Sequence, residues 1–193
     1  MACYTTIITT EAQKFLPPEF ERCNMSEVDH IKNVTIVGIG TQGSMIAFRN
    51  ALYGKNVTGY SRTQPSIDTC KNKIDKWLAH FIEEGKLTKD EADAVRDRIH
   101  YATTLEEACK DADLVVENVP EKIEVKQAVF KQLDEVCPKH CYLNSNTSSL
   151  LMSDIYKDVS DERKAIQLES VQILENIPQA GIGRRRIWEP ETL

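Results

Sequence analysis

The stretch "NVTIVGIGTQGSMIAFRNALYG", residues 33 to 54, limits the possible folds of this chain more than any other. Its first part, "NVTIVG", is apolar and β-branched, the mark of a short buried strand. Glycines follow at 38, 40 and 43, spaced as G-x-G-x-x-G. Met45, Ile46, Phe48, Ala51 and Leu52 then recur at helical spacing, and Gly54 serves as the C-terminal cap. Each loop glycine has its own reason: Gly38 permits a tight turn, Gly40 leaves room for a pyrophosphate, and Gly43 lets helix and strand approach closely. The loop Gly38, Ile39, Gly40, Thr41, Gln42 and Gly43 offers backbone N–H groups and the positive end of a helix to phosphates. A tight turn in an ordinary α/β domain is the plainer reading. The strand before, the helix after and a second strand beyond favour dinucleotide binding.

The same alternation continues downstream. "NVTGY" reads as a strand, and residues 66–84 as a long helix with Ile67, Cys70, Ile74, Trp77, Leu78 and Phe81 on one face. Thr88 with Glu91 predicts a capping box for a helix through about Arg98, and Thr104 with Glu107 predicts another. "IHYAT", "ADLVVENV" and "CYLNSN" read as strands, and "KIEVKQAVFKQLDEV" as an amphipathic helix. Strands alternating with helices imply an α/β fold, a Rossmann-type doubly wound parallel sheet in a single domain. The organisation expected is a poorly ordered extension over residues 1–30, a dinucleotide-binding domain over 31–165 and a diverged tail over 166–193. Within the tail, "IQLESVQILENI" admits helix or strand, with strand favoured for its first part.

Composition removes other classes. In 193 residues the net charge is -6, and no Lys/Arg block is long enough for a nucleic-acid footprint. No apolar run approaches membrane-spanning length. "MACYTTIITT" carries neither a basic leader nor a long apolar segment, so a cytoplasmic location is expected. The six cysteines then read as reduced thiols. Cys137, His140 and Cys141 in "CPKHC" suggest zinc, but a closed site needs four ligands. A plain helix-to-strand connection is favoured, and no metal is expected.

The second strand of a dinucleotide fold ordinarily ends on an acid that accepts from the adenosine ribose. Here that strand runs into "GYSRT", which puts Ser61 and Arg62 at that place. A serine beside a guanidinium suits a 2′-phosphate, which an acid would repel. NADP is therefore favoured over NAD, and NAD remains the alternative if Arg62 only faces solvent.

From about Lys32 to Ile155 the chain resembles the NAD-binding domain of 3-hydroxyacyl-CoA dehydrogenases, most of all the 3-hydroxybutyryl-CoA dehydrogenases. The most specific pieces are "DLVVENVPEKIEVK" and "SNTSSL". The resemblance implies that Glu121 and Lys126 lie beside the nicotinamide half of the cofactor. It implies that Ser148 lies between cofactor and substrate hydroxyl, with Asn146 nearby. Ser148 and Asn146 are thus the candidate catalytic residues, and an acyl-CoA the candidate substrate. Taken without the resemblance, Glu121 and Lys126 are a helix-start charge and a surface lysine, and Ser148 a cap.

The family's chemistry also needs a histidine base shortly after "SNTSSL". The histidines here are His30, His80, His100 and His140, and none follows that piece. The base position falls near Glu169, with Glu175 no better supported. Trp77 stands where the resemblance expects a small polar residue, which weakens CoA binding. The family's helical C-terminal domain has no counterpart here, so a truncated product or a cofactor domain alone is expected. Two readings follow: an NAD(P)-dependent dehydrogenase whose base comes from a partner chain or a homodimer, or a nucleotide-binding module without turnover.

Overall fold

The computed structural model describes residues 30–163. The expectations for the N-terminal extension and for the tail, including Glu169, Glu175 and the strand in "IQLESVQILENI", lie outside the described residues, save for His30. Five strands form one sheet: β1 (Asn33–Val37), β2 (Asn56–Tyr60), β3 (Ile99–Ala102), β4 (Leu114–Glu117) and β5 (Tyr142–Ser145). All pairings are parallel, and the spatial order is β3-β2-β1-β4-β5. The strand order reverses between β1 and β4, which is where a doubly wound sheet opens a crevice at its C-terminal edge.

Strand alternation explains the two cores. Val34 and Ile36 of β1 face one side with Val57, Ile99, Leu114 and Val116. Helices α1 (Thr41–Leu52), α2 (Gln64–Glu83) and α3 (Lys89–Asp97) cover that side with Ile46, Phe48, Ile74, Leu78 and Val95. Val37, Val115 and Leu143 face the other side. There α4 (Leu105–Cys109), α5 (Ile123–Val136) and α6 (Met152–Ile155) supply Ala108, Phe130, Leu133 and Ile155. A sheet covered on both faces needs near-continuous apolar strands, as "VTIV" and "LVV" are.

One of the two expected capping boxes forms in full and the other by half. Thr88 and Glu91 form the reciprocal box at the start of α3, and Thr104 accepts from the Glu107 N–H at the start of α4. Gly54 lies just past α1 at φ 79°, the left-handed position a helix C-terminus favours. The long helix begins two residues before the expected 66, because Pro65 is accommodated in its first turn. "CPKHC" joins α5 to β5: Cys137 and Cys141 are buried, while His140 is exposed and lies 3.2 Å from Asp113. Among the described residues no helix is long and apolar enough to cross a membrane.

One tie of this connection carries no sequence signal. Arg163 is 2% exposed. Its Nη1 donates to the Pro138 and Cys141 carbonyls at 2.8 Å, and its Nη2 to the Cys137 carbonyl at 3.1 Å. Its Nε pairs with Asp134 Oδ1 at 3.0 Å. Burial pushes the Asp134 carboxyl upward, but bonds from the Ser160 N–H, Arg163 and the Ser160 hydroxyl outweigh it and hold the pKa below the usual range. Arg163→Ala removes the cation from Asp134 and a donor from the Cys137 and Cys141 carbonyls, and should lower unfolding stability in urea by about 3 kcal/mol. The folded pKa of Asp134 lies below the unfolded value of about 3.9. Its contribution is therefore complete above about pH 5 and disappears as pH falls through the depressed value. The melting-temperature gap between the native chain and Asp134→Asn should shrink as pH drops from 7 toward 3.

Candidate dinucleotide site

The glycine loop stands where β1 turns into α1. Gly38 has φ 91°, and a Cβ there would lie 2.8 Å from the Asn118 carbonyl oxygen. A Cβ on Gly43 would lie 1.9 Å from the Gly38 carbonyl oxygen, so no other residue lets α1 start this close to β1. Gly40 is the opposite case: it is exposed, and a Cβ on it would meet nothing within 4 Å. Gly40 is also the N-cap of α1, so no side chain caps the helix, and no acid occupies its first turn. The first helical N–H groups therefore face outward without an intrahelical partner. These features fit a pyrophosphate: open space at Gly40, free amides beside it and the positive helix end behind.

Ile39 is buried beneath the loop, and Thr41 and Gln42 are exposed on its rim. Two contributors escaped the sequence reading. Ser44 Oγ lies 2.6 Å from the Gly40 carbonyl oxygen and 2.9 Å from that of Ile39, and its shared proton steadies the turn. Lys73 of α2 brings its Nζ within 3.4 Å of Thr41 Oγ1, a cation at the helix start. A serine in the first turn of a helix and a lysine in a long helix are ordinary features, so neither stood out.

Ser61 follows β2 on the same edge. Its N–H donates to the Ala102 carbonyl at 3.2 Å, and its Oγ accepts from the Thr63 N–H at 3.4 Å. Arg62 beside it is exposed. No carboxylate occupies this strand end, as the sequence indicated.

Across the switch point, the ends of β4 and β5 meet. The Asn118 N–H donates to the Val37 carbonyl at 2.7 Å, which joins β4 to the turn after β1. Asn146 is half-buried; its N–H donates to the Glu117 carbonyl at 2.8 Å and its Nδ2 to Asn118 Oδ1 at 2.9 Å. Ser148 is exposed, and among the described residues its side chain has no hydrogen-bond partner. Glu121 binds the β5 loop: it accepts from the Thr147 hydroxyl and, at 2.9 Å, from Ser149 Oγ. It therefore serves as a clasp between two loops rather than as a helix-start charge. Burial raises its pKa, but bonds from Thr147, Ser149 and Lys126, with the lysine's charge, outweigh that and bring it down to about 2.

Lys126 corrects the plain reading of a surface lysine, because it is 0% exposed. Its Nζ lies 2.9 Å from both oxygens of Glu117, 3.2 Å from Glu121 Oε2 and 3.4 Å from Ser145 Oγ. Glu117, also 0% exposed, accepts in addition from Ser145 Oγ and from the Val119 N–H. A charge in this interior survives only when paired and hydrogen-bonded, and here every oxygen and the ammonium are. Glu117 and Ser145 were missed at the sequence level. Two signals mark the pair: an acid closing the apolar strand "LVVE", and a lysine in phase with Ile123, Phe130 and Leu133 on the buried face of α5.

Comparison with known proteins agrees with this geometry. Residues 33–169 match the family model for the 3-hydroxyacyl-CoA dehydrogenase, NAD binding domain. A probable 3-hydroxybutyryl-CoA dehydrogenase of Bacillus subtilis is 39% identical over 125 residues, which are 65% of this chain and 43% of that protein. The 3-hydroxybutyryl-CoA dehydrogenase of Clostridioides difficile is 35% identical over 133 residues, 69% of this chain and 47% of that protein. The crystal structure of an Escherichia coli 3-hydroxybutyryl-CoA dehydrogenase aligns with TM-score 0.66 at 32% identity, covering 69% of this chain and 28% of that one. The chain thus spans less than half the length of these relatives. The uncapped glycine loop, the β1/β4 switch point and the match over residues 33–169 together make this chain a member of the 3-hydroxyacyl-CoA dehydrogenase family, of which it carries the NAD-binding domain.

Proposed function

We propose that the domain holds a nicotinamide dinucleotide across the β1/β4 switch point. Its pyrophosphate lies on residues 39–43, its adenosine half over Ser61 and Arg62, and its nicotinamide half over Glu121, Asn146 and Ser148. The observation that carries this is the open space at Gly40 beside an uncapped helix start. Within that reading, Ser61 and Arg62 favour NADP(H) over NAD(H), since the strand end presents a hydroxyl and a cation in place of an acid.

The reaction proposed is hydride exchange with a 3-hydroxyacyl-CoA-type substrate. A bound nicotinamide supplies the hydride acceptor or donor. The exposed Ser148 hydroxyl orients the substrate oxygen, and Asn146, held by Asn118, supports the same edge. Lys126 is too deeply enclosed to reach a ligand directly, so it acts by fixing Glu121. Removing the proton from a 3-hydroxyl needs a base at this edge. His30, His100 and His140 stand at the starts of β1, β3 and β5, the opposite edge, and His80 near the end of α2 pairs with Glu84. Among the described residues no histidine reaches this edge, so in this reading the base comes from outside them, a partner chain being the candidate. That distribution of histidines also favours a second reading, a domain that binds the dinucleotide without turnover.

Titration of purified protein with NADH and NADPH, followed by fluorescence enhancement, tests the binding claim. Gly40→Val should abolish binding of both, because its side chain fills the pyrophosphate space; unchanged affinity would remove the loop from the site. Arg62→Ala should weaken NADPH about tenfold more than NADH, the loss of one charge-assisted contact; equal losses would end the 2′-phosphate reading. Reduction of acetoacetyl-CoA by the chain alone would overturn the need for an external base, whereas binding without turnover selects the second reading.

A further inference from the structure

The ends of β4 and α5 hold two carboxylates and a single ammonium. Both Glu117 oxygens accept from donors only: Lys126 on each, Ser145 Oγ on one and the Val119 N–H on the other. Glu121 likewise accepts from Thr147, Ser149 and Lys126. Acceptor-only geometry is that of ionised carboxylates. One negative charge is therefore in excess. It is not confined to the interior: Glu117 and Lys126 side chains are 0% exposed, whereas that of Glu121 is 37% exposed. Among the described residues, the ion pair of Glu121 is with Lys126, so the excess is expressed at the mouth of the crevice, past β4.

We propose that the Glu117–Lys126–Glu121 cluster selects the redox state of the dinucleotide, its excess negative charge favouring the cationic oxidised nicotinamide over the neutral reduced ring. Glu117 is the positioning residue in this device. It touches no ligand, and it acts by engaging Lys126, which would otherwise neutralise Glu121 completely. The inference rests on the proposed dinucleotide reading. Oxidised and reduced dinucleotides share their phosphates and riboses, so the ratio of their affinities isolates the ring charge. A unit charge at contact distance in a water-facing setting changes that ratio about fivefold.

The test is calorimetric titration of the full chain with NAD+ and NADH, and with NADP+ and NADPH, reading the ratio of oxidised to reduced Kd. Glu121→Gln and Glu117→Gln should each raise that ratio about fivefold. Glu117→Asp, which keeps the charge, should leave it near the native value. A variant that weakens both forms equally, with the ratio unmoved, has only lost packing, and that outcome overturns the proposal. If Glu117→Gln does not fold, the half-exposed Glu121 decides alone: a Glu121→Gln ratio equal to the native one overturns it. Failure of the native chain to bind any of the four dinucleotides overturns the dinucleotide reading itself. Binding with unmoved ratios leaves that reading intact and removes only the redox selection.

Discussion

The close meeting of three backbone segments underlies both fold and site. The start of α1 lies so near the turn after β1 that a Cβ on Gly43 would sit 1.9 Å from the Gly38 carbonyl oxygen. Gly38 in turn presses against the Asn118 carbonyl at the end of β4. Because interiors are packed as densely as crystals, such an approach cannot be relaxed by a small shift. It seats Ile46, Phe48 and Ala51 on the sheet and leaves the first amides of α1 facing the crevice. The open edge with its uncapped amides is thus a direct product of how α1 is docked.

A second constraint organises the other half of that edge. Glu117, Lys126 and Ser145 come from β4, α5 and β5, and their mutual bonds lock the three elements at the point where the strands end. Glu121 extends the cluster outward and gathers Thr147 and Ser149. A buried pair of this kind is seldom a net gain over apolar packing, because desolvation offsets most of the attraction. Its persistence inside an otherwise apolar core is consistent with a role in orienting the loops that carry Asn146 and Ser148.

Much of the fold was legible in the chain because its signals are local. Strand and helix periods differ, so "NVTIVG" and "KIEVKQAVFKQLDEV" announce themselves. Thr88 with Glu91 closes its box within one turn. Gly38 and Gly43 stand where the turn and the close helix approach need them, and Gly40 borders open space. The site was less legible where partners are distant in sequence. Glu117 meets Ser145 across 28 residues, and Arg163 meets the Cys137 carbonyl across 26. No window of sequence contains both members of such a pair. Lys126 shares the phase of Ile123, Phe130 and Leu133 in α5, but the carboxylates that enclose it come from outside that helix, so periodicity alone did not pair it.

The amino-acid order by itself determined the parallel α/β architecture, the place of the glycine loop and the absence of an acid after β2, since these depend on neighbours within a few residues. Only the tertiary structure decided that Lys126 is interior, that Glu121 clasps the β5 loop and that Arg163 holds the turn before β5. Those outcomes depend on which strands lie side by side. Desolvation then makes any charge enclosed there find a partner, however far away along the chain.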